Sequence, residues 1–214
     1  MATDSVKIPM FPLSTVVFPD AELPLHIFEP RYRALVDDIL ENDREFGTVL
    51  ITAGSEVGGG DRRAEVGTLV RIEMAMPFED GRWLLATKGV ERLRVVEWLE
   101  DDPYPQAIVE RFPSAPMPLD DDRLGTAAAA VRRVRMLLSE LDDGPCCSIE
   151  LGLGDDPDFA AWMVCALAPI SVFDAQGLLE ITDPLHRLDV LIAHCRDRIT
   201  DLSHLLSGTD EPSS

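Results

Sequence analysis

The first half of the chain consists of short apolar runs separated by prolines, glycines and acidic residues. Several runs alternate or are rich in β-branched residues, which is typical of strands bounded by turns. The pattern predicts strands over residues 6–11, 24–28, 46–52, 66–76, 82–88, 93–98 and 106–112. One helix interrupts them, because Glu29-Pro30 places a proline at a first helical position and Leu35, Val36 and Ile39 follow on one face.

Three glycine-containing segments predict the connections between these strands. Asp80-Gly81 is a hairpin signal, because both residues tolerate the positive φ angles of a two-residue type I′ turn. Lys88-Gly89 marks a second tight connection or a bulge, and Gly58-Gly59-Gly60 indicates a flexible loop. Short strands joined in these varied ways, with one inserted helix, favour a compact β-barrel-like domain.

The second half of the chain has helical periodicity and helix start signals. We expect helices over 123–141, over 159–168, from Ser171 and from Asp183. Asp156-Pro157 provides an N-cap followed by a proline, and Ser171 with Asp174 fits a capping box. Asp183-Pro184 begins the longest helix, which carries a heptad seam of Leu185, Leu188, Ile192, Cys195, Ile199, Leu202 and Leu206. The seam predicts packing on the preceding helices of a bundle, with a second copy of the chain as the other candidate partner.

The change of pattern divides the chain near Asp120. We expect an α+β protein with a β-rich part over residues 1–119, a helical bundle over 120–208 and a polar tail over 209–214. The oligomeric state is left as monomer or homodimer.

The net charge of the chain indicates which classes of binding partner are favoured. Lys and Arg number 19 against 39 Asp and Glu, and 19 − 39 gives a net charge of −20. Nucleic-acid binding depends on cations that neutralise phosphates, and anionic bilayers attract the same cations, so both partners are disfavoured while basic protein clients are favoured. The longest uncharged stretch, 159–173, contains Pro169 and is too short to span a bilayer. With no signal peptide in view, we expect a cytoplasmic protein whose four cysteines are buried thiols.

The common catalytic motifs are absent from the sequence. No GxxxxGK[ST] or GxSxG segment occurs, and the chain has just two lysines, Lys7 and Lys88, to serve a Ser–Lys peptidase. The four histidines lack metal-site spacing, and His26 with Glu29 lacks a third ligand. Paired acids such as Asp37-Asp38 are typical of helix ends and solvated faces. We therefore expect no enzyme activity, no metal and no cofactor; a hydrolase built on acidic pairs would instead need a pocket with two converging carboxylates.

Several segments resemble the substrate-binding domain at the N-terminus of Lon proteases. The opening, IPMFPLSTVVFP over 8–19 followed by LPLHIFEPRY over 23–32, follows the family pattern in order. EVGTLVRI over 65–72, TKGVERLRV over 87–95 and LLEITDPLHRL over 178–188 match later family segments. Within the opening, Phe11, Phe18 and Phe28 are expected to supply core area. The resemblance implies a PUA-like β-rich domain followed by a helical bundle.

The same resemblance implies what the protein does. Lon substrate-binding domains help to engage unfolded or tagged protein substrates, so we expect such clients and a protease component as partners. The sequence stops at Ser214, before any ATPase or peptidase segment, so we expect a stand-alone module that binds without catalysis.

The binding residues are predicted to be Met74, Met76, Pro77 and Phe78, because methionine-rich strand ends adapt to varied partners. The competing expectation is that these residues are core. The other function left open is binding of RNA or a small ligand, as in other PUA-like domains. In this acidic chain that function would depend on a local patch such as Arg132, Arg133 and Arg135. The role of His26 is left open.

Overall fold

A computed structural model describes residues 5–53, 62–118, 122–141 and 151–208. The chain folds into two compact units, Met1–Pro113 and Ser114–Ser214. The described residues of the first unit form six strands and one helix, and those of the second form four helices. The predicted α+β class is therefore confirmed. The predicted boundary near Asp120, the glycine-rich segment 58–60, the polar tail, and Cys146 and Cys147 lie outside the described residues.

The strands of the first unit form one mixed sheet. The elements are β1 (Val6–Leu13), β2 (Glu22–Ile27), α1 (Pro30–Leu40), β3 (Glu45–Ala53), β4 (Arg62–Pro77), β5 (Trp83–Trp98) and β6 (Gln106–Arg111). Their order is β2-β5-β4-β3-β1-β6, and an additional β5–β6 pairing closes five of them into a ring. β1 and β3 are parallel, and the other neighbours are antiparallel. Among the strands of the described residues, β2 pairs with β5 alone and lies at the edge of the sheet.

The two strands expected over 82–88 and 93–98 are one long strand, β5, with a bulge between them. Val70 pairs with Gly89 and Leu69 pairs with Glu91, so Val90 is the extra residue. Gly89 exchanges backbone hydrogen bonds with the 20–21 segment, and a Cβ at this position would lie 2.2 Å from the Phe18 carbonyl oxygen. The bulge predicted at Lys88-Gly89 is therefore present, and it requires glycine because of this close backbone approach.

The hairpin predicted at Asp80-Gly81 is present, but its two-residue type I′ turn is wrong. The Phe78 N–H donates to the Arg82 carbonyl and the Gly81 N–H donates to the Phe78 carbonyl, both at 2.9 Å. The loop therefore has three residues, with Gly81 as its one residue of positive φ, 78°. A type I turn followed by a left-handed glycine produces this geometry, and it needs a single left-handed position.

α1 covers one face of the sheet and forms the main core with it. Proline at its first position begins the helix after Glu29, whose backbone is extended. Tyr32 stacks on Phe11 with ring centroids 4.0 Å apart. The other buried members of this core are Leu13, Val17, Leu25, Ile27, Leu35, Val36, Ile39, Phe46, Val70, Ile72, Leu85 and Tyr104. Phe11 and Phe18 are buried as expected, but the core role expected for Phe28 is wrong, since it is 58% exposed.

The second unit contains α2 (Arg123–Leu141), α3 (Pro157–Ala166), α4 (Val172–Glu180) and α5 (Pro184–Gly208). The Asp156 carboxylate accepts from the Asp158 N–H at 3.0 Å and caps α3, as predicted. Ser171 caps α4 through the Asp174 N–H, but the Asp174 carboxylate accepts from the Ser171 hydroxyl rather than from its backbone. The expected capping box is therefore half formed.

α5 packs along α2, and its seam faces the bundle. Leu188, Ile192, Cys195 and Leu202 of the predicted seam are buried, whereas Leu185, Ile199 and Leu206 are partly exposed. The intramolecular interpretation of the seam is therefore correct for these four buried positions.

A buried arginine lies inside this helical unit. Arg187 is 1% exposed, with its guanidinium carbon 3.5 Å above the centre of the Trp162 ring. It donates to the Ser114 hydroxyl and the Ile181 carbonyl, each at 3.0 Å. Burial lowers the pKa of Arg187 to about 10. The ring face and the acceptors replace part of the hydration that the guanidinium loses.

Candidate functional site

The side chains of the predicted binding residues are exposed to solvent at the end of β4. Met74 is 60% exposed, Met76 49% and Phe78 41%, and Pro77 is exposed as well. The competing expectation, that these side chains belong to the core, is wrong.

A bulge in β4 explains why the methionines face outward. Ile72 pairs with Thr87 and Met74 pairs with Ala86, so Glu73 is an extra residue. In a regular strand, positions 70, 72, 74 and 76 share one face, and Val70 and Ile72 are buried. The extra residue reverses the alternation after Ile72, so that Ala75 joins the core and the methionines turn to the other face.

Neighbouring strands extend the exposed surface. Met76 pairs with Leu84 of β5, which in turn pairs with His26 of β2. Leu84 is 41% exposed and Phe28, just after β2, is 58% exposed. We call Met74, Met76, Phe78, Leu84, His26 and Phe28 the apolar patch. It lies on the face of β2, β5 and β4 opposite the core, because Leu25, Ile72 and Leu85 of these strands point the other way.

The ring of His26 contacts both aromatic rings of the apolar patch, Phe28 and Phe78. Its ring centroid is 6.3 Å from that of Phe28 and 6.1 Å from that of Phe78, and both rings meet it edge to face. The contact with Phe78 joins β2 to the hairpin loop after β4. The guanidinium of Arg82 lies 5.6 Å from the centre of the Phe78 ring.

Arg82 forms its hydrogen bonds within the hairpin loop, to Asp80. Its Nε donates to Asp80 Oδ2 at 2.7 Å, and its backbone N–H donates to Asp80 Oδ1 at 3.2 Å. These bonds, the backbone one foremost, hold the pKa of Asp80 below its usual value. The hairpin loop therefore presents Phe78 on a fixed turn.

The open edge of β2 is poorly suited to pairing with another strand. Pro24 lies in the middle of this strand opposite Ala86 and has no N–H to donate. Proline in this position is a common means of protecting an edge strand. A partner would therefore contact the side chains of the apolar patch rather than pair with the β2 backbone.

The family model for the substrate-binding domain of ATP-dependent protease La (LON) matches residues 7–196. The chain belongs to this family. A Lon N-terminal domain protein from Xanthomonas campestris is similar in structure, with a TM-score of 0.65 and 29% identity, over 88% of this chain and 98% of that one. The N-terminal domain of Mycobacterium avium complex Lon protease, 18% identical with a TM-score of 0.61, shows the same fold.

Proteins with similar sequences include Lon proteases of other organisms. Lon protease 2 of Herpetosiphon aurantiacus is 25% identical over 211 residues, which is 95% of this chain and 25% of that protein. Lon protease of Desulfovibrio desulfuricans is 30% identical over 192 residues, 85% of this chain and 21% of that protein. The chain therefore spans a quarter or less of the length of these relatives, within the region of the substrate-binding domain.

The segment FEPRY, residues 28–32, is part of the resemblance to the Lon family. Some of its residues lie in the apolar patch and others lie in the core. Phe28 belongs to the apolar patch, and Glu29 accepts from Arg31 Nε at 3.1 Å. Tyr32 enters the core, with the Arg31 guanidinium 4.5 Å from the centre of its ring. Sequence reasoning missed His26, Phe28 and Leu84 as site residues. Their alternation with buried Leu25, Ile27 and Leu85 was the available signal.

A concavity in the first unit is lined by residues outside the apolar patch. It has a volume of about 900 Å³, and five carboxylates line it. Asp38 accepts from the Tyr104 hydroxyl at 2.7 Å, Glu45 pairs with Arg71, and Glu91 pairs with Arg111. Burial, then the bond to Asp38, raises the pKa of Tyr104 to about 12. Three of the five carboxylates are thus bonded to different partners rather than converging as a hydrolytic pair.

Metal ligands and thiols are the other groups that could carry chemistry within the described ranges. No cluster of three or more His, Cys, Asp and Glu side chains there could hold a metal ion. Cys165 and Cys195 are buried free thiols, and burial raises their pKa values to about 12 and about 11. No helix within these ranges is long and apolar enough to cross a membrane.

The predicted arginine cluster on α2 is divided. Arg135 donates to the Leu167 carbonyl at 3.2 Å, whereas Arg132 and Arg133 are exposed. Part of the cluster therefore serves the packing of the helical unit.

Proposed function

We propose that the chain is a non-catalytic module that binds apolar segments of unfolded or tagged protein clients through the apolar patch. The observation that carries this proposal is the phase reversal at Glu73, which turns two methionines from the core to the solvent. A contiguous apolar surface of this kind marks an interaction site more often than it serves the fold.

The composition of the patch suits varied clients. Methionine side chains are flexible and polarizable, so they fit different apolar partners, while the His26, Phe28 and Phe78 rings supply a stiffer area. Because Pro24 weakens strand pairing at the β2 edge, side-chain burial rather than backbone pairing supplies the affinity.

Family membership supports a connection to proteolysis. Lon substrate-binding domains belong to ATP-dependent proteases, so we propose a protease component as the partner that receives the clients. This part of the proposal rests on the family and not on a surface of the described residues.

Binding to a permanently unfolded protein, reduced and alkylated, tests the proposal. Leu84→Gln combined with Met76→Gln removes apolar area without adding charge, and Val96→Gln is the matched control on β5, since Val96 is 56% exposed outside the patch. We expect the double variant to weaken binding by about tenfold or more and the control to leave it unchanged. Equal affinity of both variants and the parent would contradict the proposal.

A further inference from the structure

Three carboxylates flank the apolar patch without an ion pair among the described residues. Glu73 is the bulge residue beside Met74, Glu79 follows Phe78 in the hairpin loop, and Glu22 opens β2. All three are exposed.

Several cations close to the patch are paired with other acids. Arg82 binds Asp80 at 2.7 Å, and Lys88, opposite Glu22 in register, lies 3.1 Å from Asp20. Arg31 of α1 is likewise paired, 3.1 Å from Glu29. Arg33 of α1 brings one more guanidinium to the hairpin loop, where it lies against Gly81. One such cation against the three carboxylates leaves the border of the patch with an excess of negative charge.

From this charge pattern we infer that the apolar patch selects segments in which apolar residues are flanked by lysine or arginine. The inference rests on the proposed function and specifies its client class. A client that covers the patch brings its flanking residues close to Glu22, Glu73 and Glu79, at separations within the screening length of about 8–10 Å. Cationic flanks are attracted there and acidic flanks are repelled. Since the methionines discriminate little between apolar side chains, charge supplies the selectivity.

The same pattern disfavours a second copy of the chain as the occupant. In a twofold interface the same surface of both copies meets, so Glu73 and Glu79 of one copy would approach those of the other. Each copy also carries a net charge of −20. Like charges without counter-ions oppose such a contact.

A set of three soluble peptides tests the inference. All contain the same alternating Leu-Ser core, and they differ in flanks of lysine, glutamine or glutamate. Affinities are measured by fluorescence anisotropy for the parent, for Glu73→Lys combined with Glu79→Lys, and for the control Glu97→Lys, an exposed change on β5 outside the border. Sedimentation of each variant monitors self-association.

The parent is expected to bind the lysine-flanked peptide most tightly, by roughly two- to fivefold per border charge, with the advantage lost at high salt. The double variant should reverse the preference toward glutamate flanks, and Glu97→Lys should not. Equal binding of all three peptides would overturn the inference while leaving the proposed function intact. Failure to bind any peptide, or a dimer that buries the patch, would overturn both.

Discussion

His26 and Phe78 meet edge to face, with ring centroids 6.1 Å apart, although one belongs to β2 and the other follows β4. Leu84 of β5 lies between these strands and pairs with His26. This contact joins β2 to the hairpin of β4 and β5, which lies far from β2 along the chain. It forms because the hairpin loop and the β4 bulge both turn apolar side chains away from α1.

Deleting Glu73 should leave the apolar patch in place. Glu73 is the extra residue of the bulge, so after the deletion Met74 follows Ile72 directly and can still pair with Ala86. Regular alternation then keeps Ile72 and Ala75 toward α1 and keeps Met74 and Met76 in solvent. Binding of unfolded protein, measured by anisotropy, should therefore match that of the parent and of Glu73→Gln, which keeps the residue count. Loss of binding in the deletion variant alone would contradict the assignment of Glu73 as the extra residue.

Two glycine substitutions should change stability in opposite directions. Gly89→Ala places a Cβ 2.2 Å from the Phe18 carbonyl oxygen, so the backbone must shift and stability should fall by about 1–3 kcal/mol. Gly177→Ala, inside α4 with no atom within 4 Å of the new Cβ, should raise stability by about 0.5–1 kcal/mol. Thermal unfolding of the two variants compares them. Similar losses for both would contradict the close approach at Gly89.

Replacing Arg187 should destabilise the helical unit even when the positive charge is kept. Arg187→Lys loses the planar stack on Trp162 and cannot reach both the Ser114 hydroxyl and the Ile181 carbonyl. We expect a loss of about 1–3 kcal/mol from the unsatisfied acceptors, measured by denaturant unfolding. The exposed Arg132→Lys serves as the control, with an effect within about 0.5 kcal/mol. Equal effects of the two substitutions would mean that the buried geometry is unimportant.

The buried thiols should make the protein sensitive to alkali. Burial raises the pKa of Cys165 from 9.0 to about 12, so the folded chain keeps a proton that the unfolded chain releases. The stability from this group is complete below about pH 9 and is lost as pH rises toward 12. Cys165→Ala in a chain that also carries Cys146→Ser and Cys147→Ser should flatten the decline in urea unfolding between these pH values. An unchanged slope would contradict the burial of this thiol.

Much of the fold could be predicted from local signals. Pro30, Asp156 and Ser171 mark helix starts with specific backbone chemistry, and each begins a helix where expected. The predicted site residues Met74 and Met76 were found by residue type, but their exposure depends on a bulge that alternation cannot reveal. The core role expected for Phe28 was wrong and the burial of Arg187 was not predicted, because the exposure of both side chains follows from tertiary packing that local patterns do not show.

Methionine methyl resonances offer the most direct test of binding at the apolar patch. Unfolded, alkylated protein is added to the chain carrying ¹³C-methyl methionine, and each resonance is assigned by substitution. Met74 and Met76 are expected to shift or broaden, while buried Met10 and the exposed Met136 of the helical unit, 37% accessible, stay unchanged. Changes at Met136 equal to those at Met74 and Met76, or none at these two, would contradict binding at the apolar patch.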